Sequence, residues 1–531
     1  MADHSTTCLC VQIIGSHFGP LTAKVVQALL SHGRLTVPQI CRHTSLKPRQ
    51  VRAAVLILIQ HNILWHAETD DGEVFEVNVD ECVVRLRLGR YIDIANKIHG
   101  EAAAEIVSII LDHGKLRPPD ILARLPKTGR KSTMLYKQTI FKLVSSSYLK
   151  ASTVLAHTSP QDKRIQYEEE EKSKLSNLPS SRELREAKEV AAARLRREQE
   201  DAEKIGLKHK AKEASTHRIS KINDEVYFRV NFDKFNLHIR NELIVNAAKE
   251  RFNISASRVI SALLKITEPL QRHLSEPRSD AVTVGNIAVQ FTDDEDLASG
   301  LTLSSKPSNT TCTKHYLSLL AHADNPLSTG RAAAFVSFDG SKTQVEFETV
   351  GRRMRRQVYE AVTREKYGVE GLRIVRLLLD IGKMDEKEIS KVVMMAAKDV
   401  RPLLSAMAAD SLVATQEVPK TADRNPTRTF YLWYVDLRKA YAAILRGLYQ
   451  TLYNIGQRRQ AEEEEPVVRA VLEKRQRTDV SQDESLLTRL EREVLAEWER
   501  KQIKLSVLEM RVDETLFIIR DLSVLGMEDQ Y

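Results

Sequence analysis

At 531 residues, 42% hydrophobic and 29% charged, the chain is too long for one core, and roughly three or four folded domains are expected. Eighty Lys and Arg against 72 Asp and Glu leave a net charge of +8, which suits an anionic partner but requires any basic patch to be local. Five cysteines without a C-x-x-C pair exclude a disulfide framework, and the longest apolar run, VLILI, excludes a membrane span. The N-terminus carries Asp3 and no basic n-region, so a soluble intracellular protein is expected.

In LTAKVVQALLSHG, Leu21, Val25, Ala28 and Leu29 recur at helical spacing and predict a helix ending at Gly33, where glycine supplies a left-handed cap. Thr36 as N-cap and Pro38 in the first turn predict a short second helix in TVPQICRHT. Ser45 and Pro48 open a third helix through VRAAVLILIQHNIL. LWHAETDDGEVFEVNV then reads as two strands around Asp71-Gly72, a hairpin signature. Three short helices followed by a two-stranded wing describe a winged helix.

The phrase LLSHGRLTVPQI returns as ILDHGKLRPPDI and again as LLDIGKMDEKEI, with Gly114 and Gly382 in the place of Gly33. The second copy runs from about Glu101 through PPDILARL and TMLYKQTIFKLVSSSYLKAST. The last runs from about Glu370 through DEKEISKVV and DVRPLLSAMAADSLV to strands VATQEV and TFYLWYV. From each glycine to the leucine expected to end the third helix (Leu64, Leu149, Leu412) the distances are 31, 35 and 30 residues. Between these copies, NFDKFNLHIRNELIVNAAKERFNISASRVISALLKIT is helix-rich, and AVTVGNIAVQF, AAFVSF and TQVEFETV are strand-like. A diverged winged helix is expected there, with an unrelated α+β insert as the alternative. The polar gap from SSKPSNTTCTKHY to DNPLSTGR reads as a loop inside it.

Residues 156–220 are charge-dense and poor in recurring apolar side chains, so a charged linker, disordered or a solvated helix, is expected. After Tyr434, Tyr441, Leu445, Leu448, Leu452 and Ile455 step by four and three, a coiled-coil seam. A second seam holds Leu487, Leu490, Val494, Trp498, Leu505, Leu508, Val512, Leu516 and Ile519, interrupted at Lys501. The polar RQRTDVSQDES between them predicts an antiparallel hairpin, with two amphipathic helices packed on the last winged helix as the alternative. The fold expected is therefore mainly α with small β wings: four tandem extended winged helices plus a C-terminal antiparallel coiled-coil hairpin. The expected boundaries are 1–90, 91–155, the linker 156–220, 221–350, 351–436 and the hairpin 437–531.

No catalytic chemistry is legible. GRKST at Gly129 lacks the earlier glycine and the leading strand of a phosphate-binding loop. G-x-G-x-x-G, H-E-x-x-H and G-x-S-x-G are absent, and His61 and His66, five apart, cannot share a helical face as ligands. His32 and His113 precede helix-ending glycines, where a cation suits the helix dipole, so capping is expected. No catalytic residue, cofactor site or metal site is expected. Candidate phosphate contacts are Arg352, Arg353, Arg355 and Arg356 in GRRMRRQ, and Lys127, Arg130, Lys131, Lys137 and Lys142 around the third helix of the second unit. A solvated face or a salt-bridged protein interface is the alternative for each cluster. On an ideal wheel Val51, Val55 and Leu58 form the core stripe of the first unit's third helix, while Leu56 and Ile57 point elsewhere. Those two are the candidate protein interface.

Four winged helices, a charged insertion and a terminal coiled coil, with LLSHGRLTVPQI, ILDHGKLRPPDI and VYEAVTREKYGVEGLRIVRLLLDIGKM, make the whole chain resemble the family of third-largest subunits of nuclear RNA polymerase III. The resemblance implies a non-catalytic subunit of a polymerase-III-specific heterotrimer, similar to transcription factor IIE. Its implied partners are two other trimer subunits (one with winged helices), the clamp of the largest polymerase subunit, initiation factors, and promoter DNA including single strands; no membrane is implied. It also implies a nuclear location, with the cytosol as a second one, and roles in promoter recruitment, DNA opening and initiation at transfer RNA, 5S ribosomal RNA and other small RNA genes. A part in the polymerase's sensing of foreign AT-rich DNA is implied as well. The rival function is a tandem winged-helix assembly scaffold that does not bind nucleic acid.

Overall fold

A computed structural model describes residues 3–69, 72–126, 130–175, 180–204, 207–208, 221–291, 297, 301, 308–321, 334–419, 429–482 and 486–524. They form two compact bodies, 1–238 and 239–531.

In the N-terminal body, α1 (His4–Phe18) leads across Gly19 into α2 (Pro20–His32), which ends at Gly33 with φ 87°. Next come β1 (Leu35–Thr36), α3 (Val37–Thr44) and α4 (Pro48–Gln60). Thr36 caps α3 reciprocally with Gln39, whose Oε1 accepts from the Thr36 amide at 2.8 Å. β2 (Leu64–Thr69) and β3 (Gly72–Val77) complete an antiparallel sheet of order β1-β3-β2. Thr69 pairs with Gly72 in the antiparallel ladder, and Asp70 and Asp71 between them lie outside the described residues. α5 (Val79–Val84), capped by Asn78, leads on to the second unit.

That unit repeats the plan with α6 (Leu88–His99), a break at Gly100, α7 (Glu101–His113), α8 (Pro118–Arg124) and α9 (Arg130–Ser145). Its wing corrects the expected boundary. β4 (Leu149–Ala151) pairs with β7 (Phe228–Val230), and Leu116 bridges Phe228, so the second winged helix closes only after the charged segment. The segment is an insertion in a wing rather than a linker between domains. Within it lie α10 (Pro160–Lys172), α11 (Ser181–Lys204), and the short pair β5 (Leu207–Lys208) and β6 (Lys221–Ile222). Of the two expected forms, disordered or solvated helix, its described residues take the helical one, paired as a hairpin. Tyr167 is buried, donates to Glu198 and lies 4.2 Å from the Arg194 guanidinium, which also reaches Glu170 at 2.7 Å. Ala187 and Ala191 of α11 are buried as well. Arg34 ties α10 to the first wing through Asp162 at 2.9 Å and Glu76 at 2.7 Å.

In the C-terminal body, which begins within α12 (Phe232–Arg251), the third unit comprises α13 (Ile254–Thr267), β8 (Val282–Thr283), α14 (Val284–Ala288), α15 (Asn309–Ala321), β9 (Val336–Phe338) and β10 (Lys342–Val345). Its sheet order, β8-β10-β9, matches that of the first unit. The winged helix is thus present, and the expected polar loop holds its third helix, α15, which buries Cys312, Tyr316, Leu317 and Leu320.

The fourth unit follows from α16 (Phe347–Ile381), which is kinked at Gly368, through β11 (Met384–Asp385), α17 (Glu386–Val393), α18 (Ala397–Ala409), β12 (Ala414–Pro419) and β13 (Thr429–Tyr434), again ordered β11-β13-β12. Ile374, Val375, Leu378, Ile389, Val400, Leu404 and Met407 form its core, and buried Tyr359 donates to the Leu412 carbonyl at 2.9 Å. Leu64 and Leu149 open strands rather than ending third helices. Their counterpart is Val413, because Ile63, Tyr148 and Leu412 all donate back five residues into the preceding helix.

The chain ends in α19 (Leu437–Glu464), α20 (Pro466–Arg475), α21 (Thr478–Gln482) and α22 (Arg489–Arg520). α19 and α22 pack antiparallel, with Leu452, Ile455 and Leu516 buried and Ala440, Ile444 and Ile519 joining the fourth unit's core. Leu490 and Leu508, expected in the seam, face outward. Lys501 does not merely interrupt the seam: it reaches buried Glu462 across the hairpin at 3.1 Å. Arg459 likewise reaches Glu509 at 2.6 Å.

Candidate functional site

The third helix of a winged helix is the element that conventionally enters a groove or meets a partner, and those of the first two units, α4 and α9, present different faces. On α4, Val51, Ala54, Val55 and Leu58 are buried. Arg49, Arg52, Ala53, Leu56 and Ile57 are exposed and recur at three, one, three and one residues, a single outward face. Leu56 is 68% exposed and Ile57 43%. Among the described residues, Arg49 and Arg52 have no ion-pair partner. The outward face is therefore cationic at its N-terminal end and aliphatic beyond.

The C-terminal end of α4 is clasped by the second unit. Gln60 Nε2 donates to the Lys115 carbonyl at 2.8 Å and the His113 carbonyl at 3.1 Å, bracketing Gly114. A Cβ on Gly114 would stand 2.4 Å from the Gln60 carbonyl oxygen, at a φ of 80°. So the same glycine that ends α2 in the open ends α7 against another backbone. Lys115 Nζ donates to the Ile59 carbonyl at 3.0 Å and lies as close to the His157 ring. Burial, then Arg229, pulls the Lys115 ammonium down to about 8. Burial, then Lys115, pulls His157 down to about 4. His61 falls to about 3 through burial and the neighbouring Arg85, Lys115, His113 and His17. The rings are neutral at neutral pH.

On α9, Lys137 and Lys142 are exposed beside Met134, Leu135 and Gln138. Lys142 edges a groove lined by Ile98, His99, Glu105, Leu135 and Tyr136, whose hydroxyl donates to Glu105 at 2.6 Å. Lys127 and Gly129 lie outside the described residues, as do the side chains of Arg130 and Lys131.

The arginines of GRRMRRQ are not gathered into an open patch. Arg355 is 4% exposed and near the Tyr441 ring at 5.8 Å. Arg353 lies 5.3 Å from the Phe335 ring. Arg352 pairs with Glu348, and Arg356 with Glu360 at 3.0 Å and Asp380 at 3.1 Å. Burial pulls Arg356 downward, but those two carboxylates outweigh it and hold its pKa above the ordinary value. Of the four candidate phosphate contacts, Arg355 is buried, while Arg352 and Arg356 stay partly exposed within ion pairs of their own helix.

Sequence reading missed a second glycine series. Gly19, Gly100 and Gly368, each 14 residues before the repeated glycine, have φ of 88°, 84° and 70° and break a leading helix from the first helix of the unit. That fixed spacing was the available signal. No helix among the described residues is long and apolar enough to cross a membrane.

Three family models match. The POLR3C C-terminal winged-helix domain covers residues 359–435, and the RNA polymerase III subunit RPC82 helix-turn-helix domain covers 8–68. The DNA-directed RNA polymerase III subunit RPC3 helical hairpin domain covers 470–518. They fall on the fourth unit, the first unit and the α20–α22 region. DNA-directed RNA polymerase III subunit RPC3 of Bos taurus is 26% identical over 96% of this chain and 97% of its own length. That of Homo sapiens is 26% identical over the same shares, and that of Danio rerio 25%. Similarity thus also spans the second and third units, which no family model covers. With this end-to-end match and winged helices at the places the family models mark, the chain belongs to the RPC3 family of RNA polymerase III subunits.

Proposed function

We propose that the chain is a non-catalytic, nuclear subunit of RNA polymerase III, acting within a heterotrimer on the clamp of the largest subunit. There it supports promoter recruitment, DNA opening and initiation at transfer RNA, 5S ribosomal RNA and other small RNA genes. Through the polymerase it contributes to the sensing of foreign AT-rich DNA. The observation that carries this reading is end-to-end similarity to proteins named RPC3, on a chain built from four winged helices. The sequence, which offers no catalytic motif, fits that role. In it, Leu56 and Ile57 meet protein, while Lys137 and Lys142 on α9 are candidate phosphate contacts.

Tagged chain purified from nuclear extract is expected to bring down polymerase III subunits, and extract depleted of it to lose transcription from a transfer RNA gene until the chain is restored. Recovery of a complex without polymerase subunits overturns the proposal. The second reading, a scaffold that does not touch nucleic acid, is favoured by the engagement of Arg352, Arg355 and Arg356. Duplex-DNA binding that weakens with salt and loses about 0.9 of slope per lysine removed at Lys137 or Lys142 rules that scaffold out. Absence of binding supports it.

A further inference from the structure

We infer that the outward face of α4 receives an amphipathic segment of a partner protein, with carboxylates over Arg49 and Arg52 and aliphatic side chains against Ala53, Leu56 and Ile57. This rests on the reading of Leu56 and Ile57 as a protein contact and names the chemistry of what they meet. The face from Arg49 to Ile57 rises about 12 Å, two turns of helix, enough for one short segment.

Two features of this face work against the stability of the isolated chain. First, Arg49 and Arg52 occupy the first turns of a helix, where the positive end of the dipole disfavours cations, and the first turn of α4 carries no acidic residue to offset them. Other helices here are charged the opposite way: Glu386 and Glu388 open α17, and Glu491 opens α22. Second, Leu56 and Ile57 stand in water beside those cations although a core stripe is available on the same helix. A bound segment that is acidic at one end and aliphatic along the rest relieves both. The face is also held before any partner arrives, because Ile59 and Gln60 are fixed by Lys115 and the backbone around Gly114. A prearranged surface loses less entropy on binding.

Other occupants fit worse. A second copy of this face would set cations against cations in a parallel arrangement and cations against aliphatic groups in an antiparallel one. Nucleic acid would satisfy Arg49 and Arg52, but Ala53, Leu56 and Ile57 carry no donor and would lie over sugar and phosphate.

The test uses full-length tagged chain expressed in nuclei, with a photoreactive amino acid in place of Ala53, irradiated after the complex is purified. The expected result is one crosslinked protein segment in which Asp or Glu residues neighbour aliphatic ones. Arg49→Glu with Arg52→Glu is expected to lower the crosslink about tenfold, an electrostatic loss. Its melting temperature should not fall, since acidic residues suit a helix N-terminus. A crosslink to nucleic acid, to a segment without carboxylates, or to nothing in the assembled complex overturns the inference while leaving the polymerase assignment standing. An acidic, aliphatic crosslinked segment in a complex free of polymerase subunits upholds the inference and sinks that assignment instead.

Discussion

Arg352, Arg353, Arg355 and Arg356 crowd into five residues of α16, yet each meets a carboxylate, an aromatic ring or the interior of its own body. Arg49 and Arg52 are fewer and sit beside aliphatic residues, yet they have no ion-pair partner among the described residues. What differs is the neighbours: Glu348, Glu360 and Asp380, all on α16 itself, pair with Arg352 and Arg356, whereas among the described residues no carboxylate pairs with Arg49 or Arg52. Charge density along a chain therefore does not locate a binding surface. Charge left uncompensated after folding is the feature on which the proposed α4 surface rests.

The largest effect that would sharpen this contrast is expected where the open face is anchored. Gly114→Ala forces a side chain into a left-handed conformation, at about 1–2 kcal/mol, and drives its Cβ into the Gln60 carbonyl, at about 1–3 kcal/mol more. Hydrogen exchange should rise along α4, while Gly33→Ala, with open space around its Cβ, should disturb α2 less. Equal effects at the two glycines would contradict the clasp.

Next in size is Arg355→Ala, which removes a buried cation and its hydrogen bonds, at about 2 kcal/mol. A clear fall in melting temperature with unchanged DNA affinity is expected. Unchanged stability with weakened DNA binding would return the GRRMRRQ cluster to the role its sequence suggested.

Acid should find the clasp before it finds the arginine pairs. His61 and His157 are held near 3 and 4 when folded, against about 6.5 when unfolded. Between pH 6.5 and about 4 the unfolded chain binds protons that the folded one refuses, so stability falls as pH falls through that window. Above pH 6.5 these rings contribute no pH dependence. Trypsin cleavage within residues 1–238 should accelerate at pH 5 relative to pH 7, and His157→Gln should blunt the change. The smallest effect belongs to Arg352→Ala with Arg356→Ala, partly exposed pairs worth up to about 1 kcal/mol each. A DNA-binding slope against salt that flattens in this variant would break the comparison.

Local chemistry explains what could be read early. Gly33, Gly114 and Gly382, with Thr36 and Pro38, announce helix ends and starts within a few residues, so the repeated phrase exposes three units. The pairing of Leu149 with Val230 is not local: the intervening insertion separates the two strands, and nothing near either names the other. The pairing of α10 with α11 was not legible because Tyr167, Ala187 and Ala191 are its only buried apolar residues among those described, too few for a periodic signal. α15 hid behind its polar opening, Asn309-Thr310-Thr311. The core stripe of α4 was legible from Val51, Val55 and Leu58, and with it the outward placement of Leu56 and Ile57. Burial of Arg355 was not, since it depends on Tyr441 from a later helix.

Leu56→Glu with Ile57→Lys tests the account most directly. Each side chain is worth about 1.5–3 kcal/mol when buried in a partner, and neither belongs to the core of its own unit. With melting and circular dichroism measured on the same preparation, the double variant should fold like the parent and recover far less of the other polymerase subunits from nuclear extract. A variant that unfolds would place these residues in the core, and one that folds and assembles normally would show that the open face of α4 is not where this chain meets protein.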